Sequence, residues 1–502
     1  MVANDRSGWQ GIGIDAVVDG ALAARDAGRI DDGVAAVQRA LDHHPREVRL
    51  WQVLGLLYRA AEDSENAAAA LAKAADLAPR DARIAHAHAR VTFEAGMPSL
   101  PLFERARALA PFDGDLLISR AGAQLAEGEG QAAIAELDDL VATNPAWLQG
   151  QEALANLRWL SGERDGFARG YERAITADPA NPALWLALAG RLMYADCYSA
   201  IEALLERARV AAGAHPGFDA YEAICASETG DVARADTLFD RLAAIPDDAF
   251  AVRHVRHLLR TGRIEAAAQR AELLTHGAGA ALAWPYLAIA WRLLGDARWE
   301  WLEGNETLVS VYDILDTVDI APLRDRLRHL HNMVSHPIGQ SVRGGTQTDG
   351  PLFARVDPEI RALRAHIVAA VEQHVATLAP IDPAHPVLRC GDRKMPVRFA
   401  GSWSVRLTGA GFHTQHIHQQ GWISSALYIS VPDPAEMGPA PAGWLSLGQP
   451  PAELGIDLPP LRTVEPRPGR LVLFPSIMWH GTIPFAGGER MTVAFDVAPP
   501  TG

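Results

Sequence analysis

Prolines recur early in the chain at Pro45, Pro79, Pro111, Pro145 and Pro179, with gaps of 34, 32, 34 and 34 residues. A period near 34 is that of a two-helix repeat, and it constrains everything it covers. The residues ahead of each proline repeat as well. A bulky residue, two spacers, an alanine, four spacers and the proline give Val37-Ala40-Pro45, Leu71-Ala74-Pro79, Phe103-Ala106-Pro111 and Tyr171-Ala174-Pro179, while Leu137-Leu140-Pro145 loses only the alanine. Small residues let the two helices of a hairpin approach closely, and bulky ones fill the gap to the next hairpin. Proline ends the second helix, because it has no N–H to donate and clashes with the preceding turn. A single unit cannot bury its apolar face, so the units stack into a superhelix with a concave groove.

The unit running through Trp51, Leu54, Gly55, Tyr58, Ala67, Leu71, Ala74 and Pro79 resembles the tetratricopeptide repeat at nearly every signature position. Pro216 and Pro246 continue the series less regularly, and 251–273 and 282–294 read as degenerate later units. The expected array spans 17–296 in seven or eight hairpins. Its groove suits a peptide or protein substrate. The competing uses are a homodimer contact or a scaffold that holds a second domain.

Composition narrows the partners. The 502 residues exceed one ordinary domain, and a net charge of -15 argues against nucleic acid, which wants a basic surface. Cys197, Cys225 and Cys390 are odd in number and widely spaced, so neither a disulfide framework nor a CxxC metal knuckle is expected. The N-terminus lacks the basic start and apolar run of a leader, and no stretch is long and apolar enough for a membrane span. A cytoplasmic location is therefore expected. Arginine almost completely replaces lysine, which reads as a GC-rich bacterial genome.

After about residue 294 the pattern changes. An aromatic-rich segment, a helix over 322–334, a Gly-rich string QSVRGGTQTDGPLF at 340–353 and an amphipathic helix over 359–378 are expected to connect two folds across 297–396. The string reads as a loop whose Arg343 and Gln347 are candidate substrate contacts. From 397 to 502, five short strands bounded by Gly or Pro predict an all-β sandwich or jelly roll. The fold class is thus an α-solenoid followed by a double-stranded β-helix.

Histidines gather in this β region. His416 and His418, two apart at the expected start of a strand, point to one face, and His480 follows 62 residues later. Two imidazoles on one face can share a metal, and the third can complete a facial set. Arg490 and Thr492 share a strand face after His480; an arginine there can clamp a carboxylate with two parallel hydrogen bonds. His413 has the wrong strand parity to join the set unless the chain bends, and it reads as a substrate contact, a neighbour of the ligands or simply an exposed residue. Trp422 and Trp479 read as core aromatics, and Cys390 as an inert thiol.

With QSVRGGTQT, HIHQQGWISSALYISVP, GRLVLFPSIMWHGTIPF and GERMTVAFDV in place, residues 297–502 resemble the 2-oxoglutarate-Fe(II) oxygenases that often follow tetratricopeptide repeats in bacterial proteins. The resemblance implies His416, His418 and His480 as Fe(II) ligands, with Arg490, Thr492 and Tyr428 as anchors of 2-oxoglutarate. One feature departs from the broader superfamily: His418 stands where an acid is usual, and the nearest downstream acid, Asp433, lies beyond the following strand. Three neutral imidazoles leave Fe(II) its full charge, which a dianionic co-substrate would balance. The implied activity is a dioxygenase that hydroxylates a peptide or protein recruited by the repeats. The rivals are a three-histidine dioxygenase that does not use 2-oxoglutarate and a repeat adaptor without turnover. The repeats are expected to serve capture or assembly, so that a chain starting near residue 297 keeps its iron and co-substrate.

Overall fold

A computed structural model describes residues 13–315 and 319–500. Its N-terminal part is helical from α1 (Ile14–Asp26) to α17 (Ala280–Leu294). Sixteen of these helices pair into eight hairpins, and α17 stands alone after the last. The signature positions do what their sizes dictate: Ala67, Leu71, Ala74, Phe103, Ala106, Tyr171 and Ala174 are all buried between helices. Gly55 lies so close to the next helix that a Cβ there would meet Leu71 at 2.6 Å. No helix among the described residues is long and apolar enough to cross a membrane.

The turn inside each hairpin places one residue in the left-handed region. Glycine usually fills it, as at Gly128 (φ 88°), but Glu62 (62°) and Asp196 (57°) adopt it without that freedom. Both of these side chains reach the C-terminal half. Glu62 accepts from Arg364 at 2.6 Å and from the Phe399 N–H at 2.7 Å, and Asp196 accepts from Arg343 at 3.2 Å. The turns between them dock through backbone: Ala95 O accepts from Val356 N–H (3.0 Å), Ala126 O from Asn332 Nδ2 (2.7 Å) and Leu160 O from Val334 N–H (3.1 Å). The 34-residue period thus presents a row of equally spaced turns to the second fold.

Among the described residues, the C-terminal half contains nine strands in two antiparallel sheets. They are β1 (Ser310–Asp313), β2 (Val342–Gln347), β3 (Phe399–His413), β4 (Ile423–Ser430), β5 (Leu445–Leu447), β6 (Arg462–Val464), β7 (Arg470–Pro475), β8 (His480–Thr482) and β9 (Glu489–Val497). The larger sheet has the order β1-β7-β4-β9-β3-β2 and the smaller β6-β5-β8. Both edge strands of the larger sheet come from the 297–396 segment. The string at 340–353 is therefore not simply a loop: Val342–Gln347 pairs with β3 across a break between Arg343 and Gly345. Its glycines allow that break, and pairing with β3 supplies the strand that local composition does not favour.

Strand alternation sets the layers. On β9, Met491, Val493, Phe495 and Val497 join the core shared with the helix Pro358–Thr377, against Ile360, Leu363, Ile367 and Val371. Arg490, Thr492, Ala494 and Asp496 have the opposite parity and face inward. On that side, Tyr428, Val472 and Phe474 of the larger sheet meet Leu445 and Leu447 of the smaller one. Trp422 and Trp479 are both buried, with their indole N–H groups bonded to Val387 O and Pro285 O.

Candidate metal and oxo-acid site

His416, His418 and His480 come together between the two sheets, each offering a ring nitrogen within 4.8 Å of the others. The sequence places the pair at the start of a strand; the structure instead puts both after the end of β3, in an irregular segment. Only His416 is laddered there, exchanging both backbone bonds with His480 at 3.0 Å. The His418 N–H bonds to Ser476 O at 2.9 Å, which ties the second ligand to the turn before β8. Gly481 permits this crowding, since a Cβ there would lie 3.0 Å from His413 O.

The Nδ1 atoms are spoken for. That of His416 bonds to Thr414 O (2.8 Å), that of His480 to Met478 O (2.9 Å), and that of His418 to Asp496 Oδ1 (2.6 Å). Each ring therefore keeps its proton on Nδ1 and turns an Nε2 lone pair to the common centre, the tautomer a metal needs. Burial, reinforced by the neighbouring His418, pushes His416 down to about 3. Burial and then His416 and His418 hold His480 well below the ordinary histidine value. Both rings stay neutral and able to ligate at neutral pH.

Asp496 is absent from the sequence-derived set, although a signal pointed to it: it shares strand parity with Arg490 and Thr492. Ser424 Oγ donates to the same Oδ1 at 2.6 Å and lies 2.9 Å from Ser476 Oγ, so the carboxylate is fixed. A carboxylate on the far nitrogen of a histidine orients the ring and raises its basicity. The acid missing from the second motif position thus stands one bond further out, behind His418.

A pocket opens beside the three rings, lined also by Gln347, Trp403, Val405, His413, Arg490 and Thr492. Arg490 is 2% exposed, and its Nε has no hydrogen-bond partner. No carboxylate pairs with it among the described residues. Its guanidinium lies over the Tyr428 ring at 4.9 Å, and the buried Tyr428 Oη also lacks a partner. A buried cation without a counter-ion is costly unless an anion completes it. With three imidazoles opposite, these residues fit Fe(II) together with a carboxylate-bearing chelator.

The other candidates divide. Gln347 lines the pocket. His413 does too; its ring stacks on His416 with centroids 5.8 Å apart, and its Nδ1 lies 3.1 Å from Ser341 Oγ. The chain does bend after β3, but His413 is not one of the three clustered rings. Burial, with His416 and Arg490 nearby, holds it well below the usual histidine value. Arg343 is not at the pocket: it donates to Gln340 O and Val342 O and pairs with Asp196 of the repeats. Cys390 is half-buried, and burial raises its thiol, as suits an inert residue.

Residues 401–496 match the family described as "Putative 2OG-Fe(II) oxygenase". Among solved structures the chain is similar to MamA, at 18% identity over 33% of this chain and 94% of that one, with a TM-score of 0.28. It is also similar to a tetratricopeptide repeat protein from Parabacteroides merdae ATCC 43184 (15%, 46% and 93%, TM-score 0.30). A third is a Pseudomonas putida prolyl-4-hydroxylase (19%, 38% and 93%, TM-score 0.26). None of the curated proteins compared matches the chain. The chain carries a C-terminal domain matching the 2OG-Fe(II) oxygenase family, behind an N-terminal array of tetratricopeptide-like repeats.

Proposed function

We propose that the protein is an Fe(II)- and 2-oxoglutarate-dependent hydroxylase acting on a peptide or protein side chain, with the oxygenase unit starting near residue 297. The observation that carries this reading is the buried, uncompensated Arg490 beside three histidines that each offer a ring nitrogen within 4.8 Å of the others. His416, His418 and His480 would hold the iron through Nε2. Arg490 would grip the distal carboxylate of the oxo acid, with the Thr492 hydroxyl as a further donor and Tyr428 beneath the guanidinium. With both groups bound, the centre couples oxygen to the decarboxylation of 2-oxoglutarate to succinate and to oxidation of a substrate C–H bond.

The chain's own residues prepare that chemistry. Asp496 fixes the His418 ring and places a negative charge behind a ligand set that otherwise has none. Trp403 and Phe474 stand against the rings, with centroids 5.3 Å from His418 and 4.7 Å from His480, and keep water from their flanks. Gln347 and His413 would meet the substrate at the pocket wall.

The lack of an acid among the clustered ligands favours a second reading, a dioxygenase that needs no oxo acid; Arg490 weighs against it. Succinate release from 2-oxoglutarate, with Fe(II) and oxygen supplied, tests the choice. Release that requires both His418 and Arg490 supports the proposal. Oxygen uptake without succinate would favour the second reading.

A further inference from the structure

The segments that bear the three histidines have two faces. His416 and His418 turn to the pocket, while Ile417 between them packs against the apolar cluster of the last hairpin and α17. Trp479, next to His480, lies in the same cluster and is 6% exposed. Its indole N–H donates to Pro285 O of α17 at 3.1 Å, and its ring meets Tyr286 edge-on at 5.3 Å. A second tie runs through β5. The Gly448 N–H donates to Trp479 O at 2.7 Å, and Arg292 of α17 donates to Gly448 O and, at 2.7 Å, to Pro459 O. Leu447, next to Gly448, is the register partner of His480.

Thus α17 grips the His480 segment from two directions, through an indole and through a guanidinium. The His416–His480 bridge passes that constraint to the first ligand, and Ile417 anchors the same segment. A metal site needs its ligands held to a fraction of an ångström, and partners behind the ligands set that tolerance.

We infer that the closing helix of the repeat array is part of the metal centre's frame, with Trp479, Ile417 and Arg292 as positioning residues for His480 and His416. This rests on the reading of the three histidines as a metal site. The repeats then do more than recruit: their last helix fixes the geometry of the centre, and a distortion of the array's C-terminal end reaches the ligands directly.

The test uses the full chain and Co(II) alone, titrated without oxygen and read by the visible ligand-field bands. Trp479→Phe keeps an aromatic ring and removes the bond to Pro285 O. Arg292→Gln alters a half-buried array residue that is not at the pocket. Trp422→Phe is the control for losing one buried indole bond, and Arg173→Gln the control for losing an array arginine, one of an earlier hairpin that pairs with Asp138. Trp479→Phe should weaken Co(II) binding about tenfold, the lower end for residues behind a ligand, and shift the bands. Arg292→Gln should do the same to a smaller extent, and both controls should match wild type. If Trp479→Phe does not melt cooperatively, Arg292→Gln decides. Wild-type affinity and bands in both test variants would overturn the inference, as would an equal loss in Trp422→Phe. A wild-type chain that binds no Co(II) would defeat the metal reading and the inference with it.

Discussion

Arg490→Met separates what the arginine does for the folded chain from what it does for a ligand. The substitution keeps much of the side chain's length and removes a charge that is 2% exposed and has no carboxylate partner among the described residues. Without ligand, desolvation of the guanidinium is a cost to folding, so the methionine variant should melt higher, by an amount on the order of 1 kcal/mol. Toward 2-oxoglutarate the sign reverses. A charge-assisted hydrogen bond is worth about 1.5–3 kcal/mol, which weakens binding roughly 10- to 150-fold at 1.4 kcal/mol per decade. Thermal melts without oxygen, at one Fe(II) concentration and with or without 2-oxoglutarate, measure both effects. Co-substrate at 100 times the wild-type Kd adds about 2.7 kcal/mol to wild type; for a variant binding 100-fold more weakly the same concentration adds only about 0.4 kcal/mol. Equal stabilisation of the two proteins by 2-oxoglutarate would refute the assignment. A variant that melts lower than wild type without ligand would show that Arg490 serves the fold instead.

Other outcomes follow from the same geometry. His418→Ala should lower Fe(II) affinity by about an order of magnitude or more and abolish turnover, while His413→Ala keeps the metal; anaerobic Fe(II) titration checks both, and the reverse pattern would show the ligand set to be wrong. Asp496→Asn, which keeps the shape but not the charge behind His418, should cost roughly 10-fold in Fe(II) affinity by the same titration, and an unchanged constant would remove Asp496 from the centre. Against the expectation from the sequence that a chain starting near residue 297 keeps its iron, such a chain should fail to melt cooperatively, because it uncovers Ile417 and Trp479 and leaves Phe399 N–H and Arg364 without Glu62; a cooperative melt with retained Co(II) binding would contradict this. Burial holds His336 and His374 at about 4 against an ordinary 6.5, so their contribution to stability is intact above 6.5 and is lost as pH falls toward 4, at up to roughly 1.4 kcal/mol per unit for each. Melting temperature should decline over that window, and less steeply in His374→Gln; parallel slopes would show that His374 does not contribute.

The array is legible in the sequence because each proline, alanine and bulky position answers a local packing need that recurs in every two-helix repeat. The three histidines are legible because they are close in chain order or flanked by a recognisable motif. What stayed hidden depends on pairings across the chain. β1 is four residues long and becomes a strand only against β7. The glycines at 344 and 345 read as a loop until β3 fixes them. Arg343 reads as a substrate contact in the sequence, but its partner, Asp196, lies 147 residues away on a repeat turn. Just after His418 the nearest acid in chain order, Asp433, is too far; Asp496 reaches the ring because β4 and β9 pair Ser424 with Asp496. Nothing local announces that Ile417 and Trp479 turn toward the repeats, and Trp479 reads only as a core aromatic.

The central claim is that Fe(II) at the three histidines and 2-oxoglutarate at Arg490 occupy one site together. It is tested most directly by adding 2-oxoglutarate to the Fe(II)-loaded full chain without oxygen and recording the visible spectrum. An oxo acid chelated to the metal gives a charge-transfer band. The account predicts a band that saturates at one 2-oxoglutarate per chain, disappears in His418→Ala and requires far more co-substrate in Arg490→Met. A chain that holds Fe(II) but shows no band at any 2-oxoglutarate concentration would contradict it.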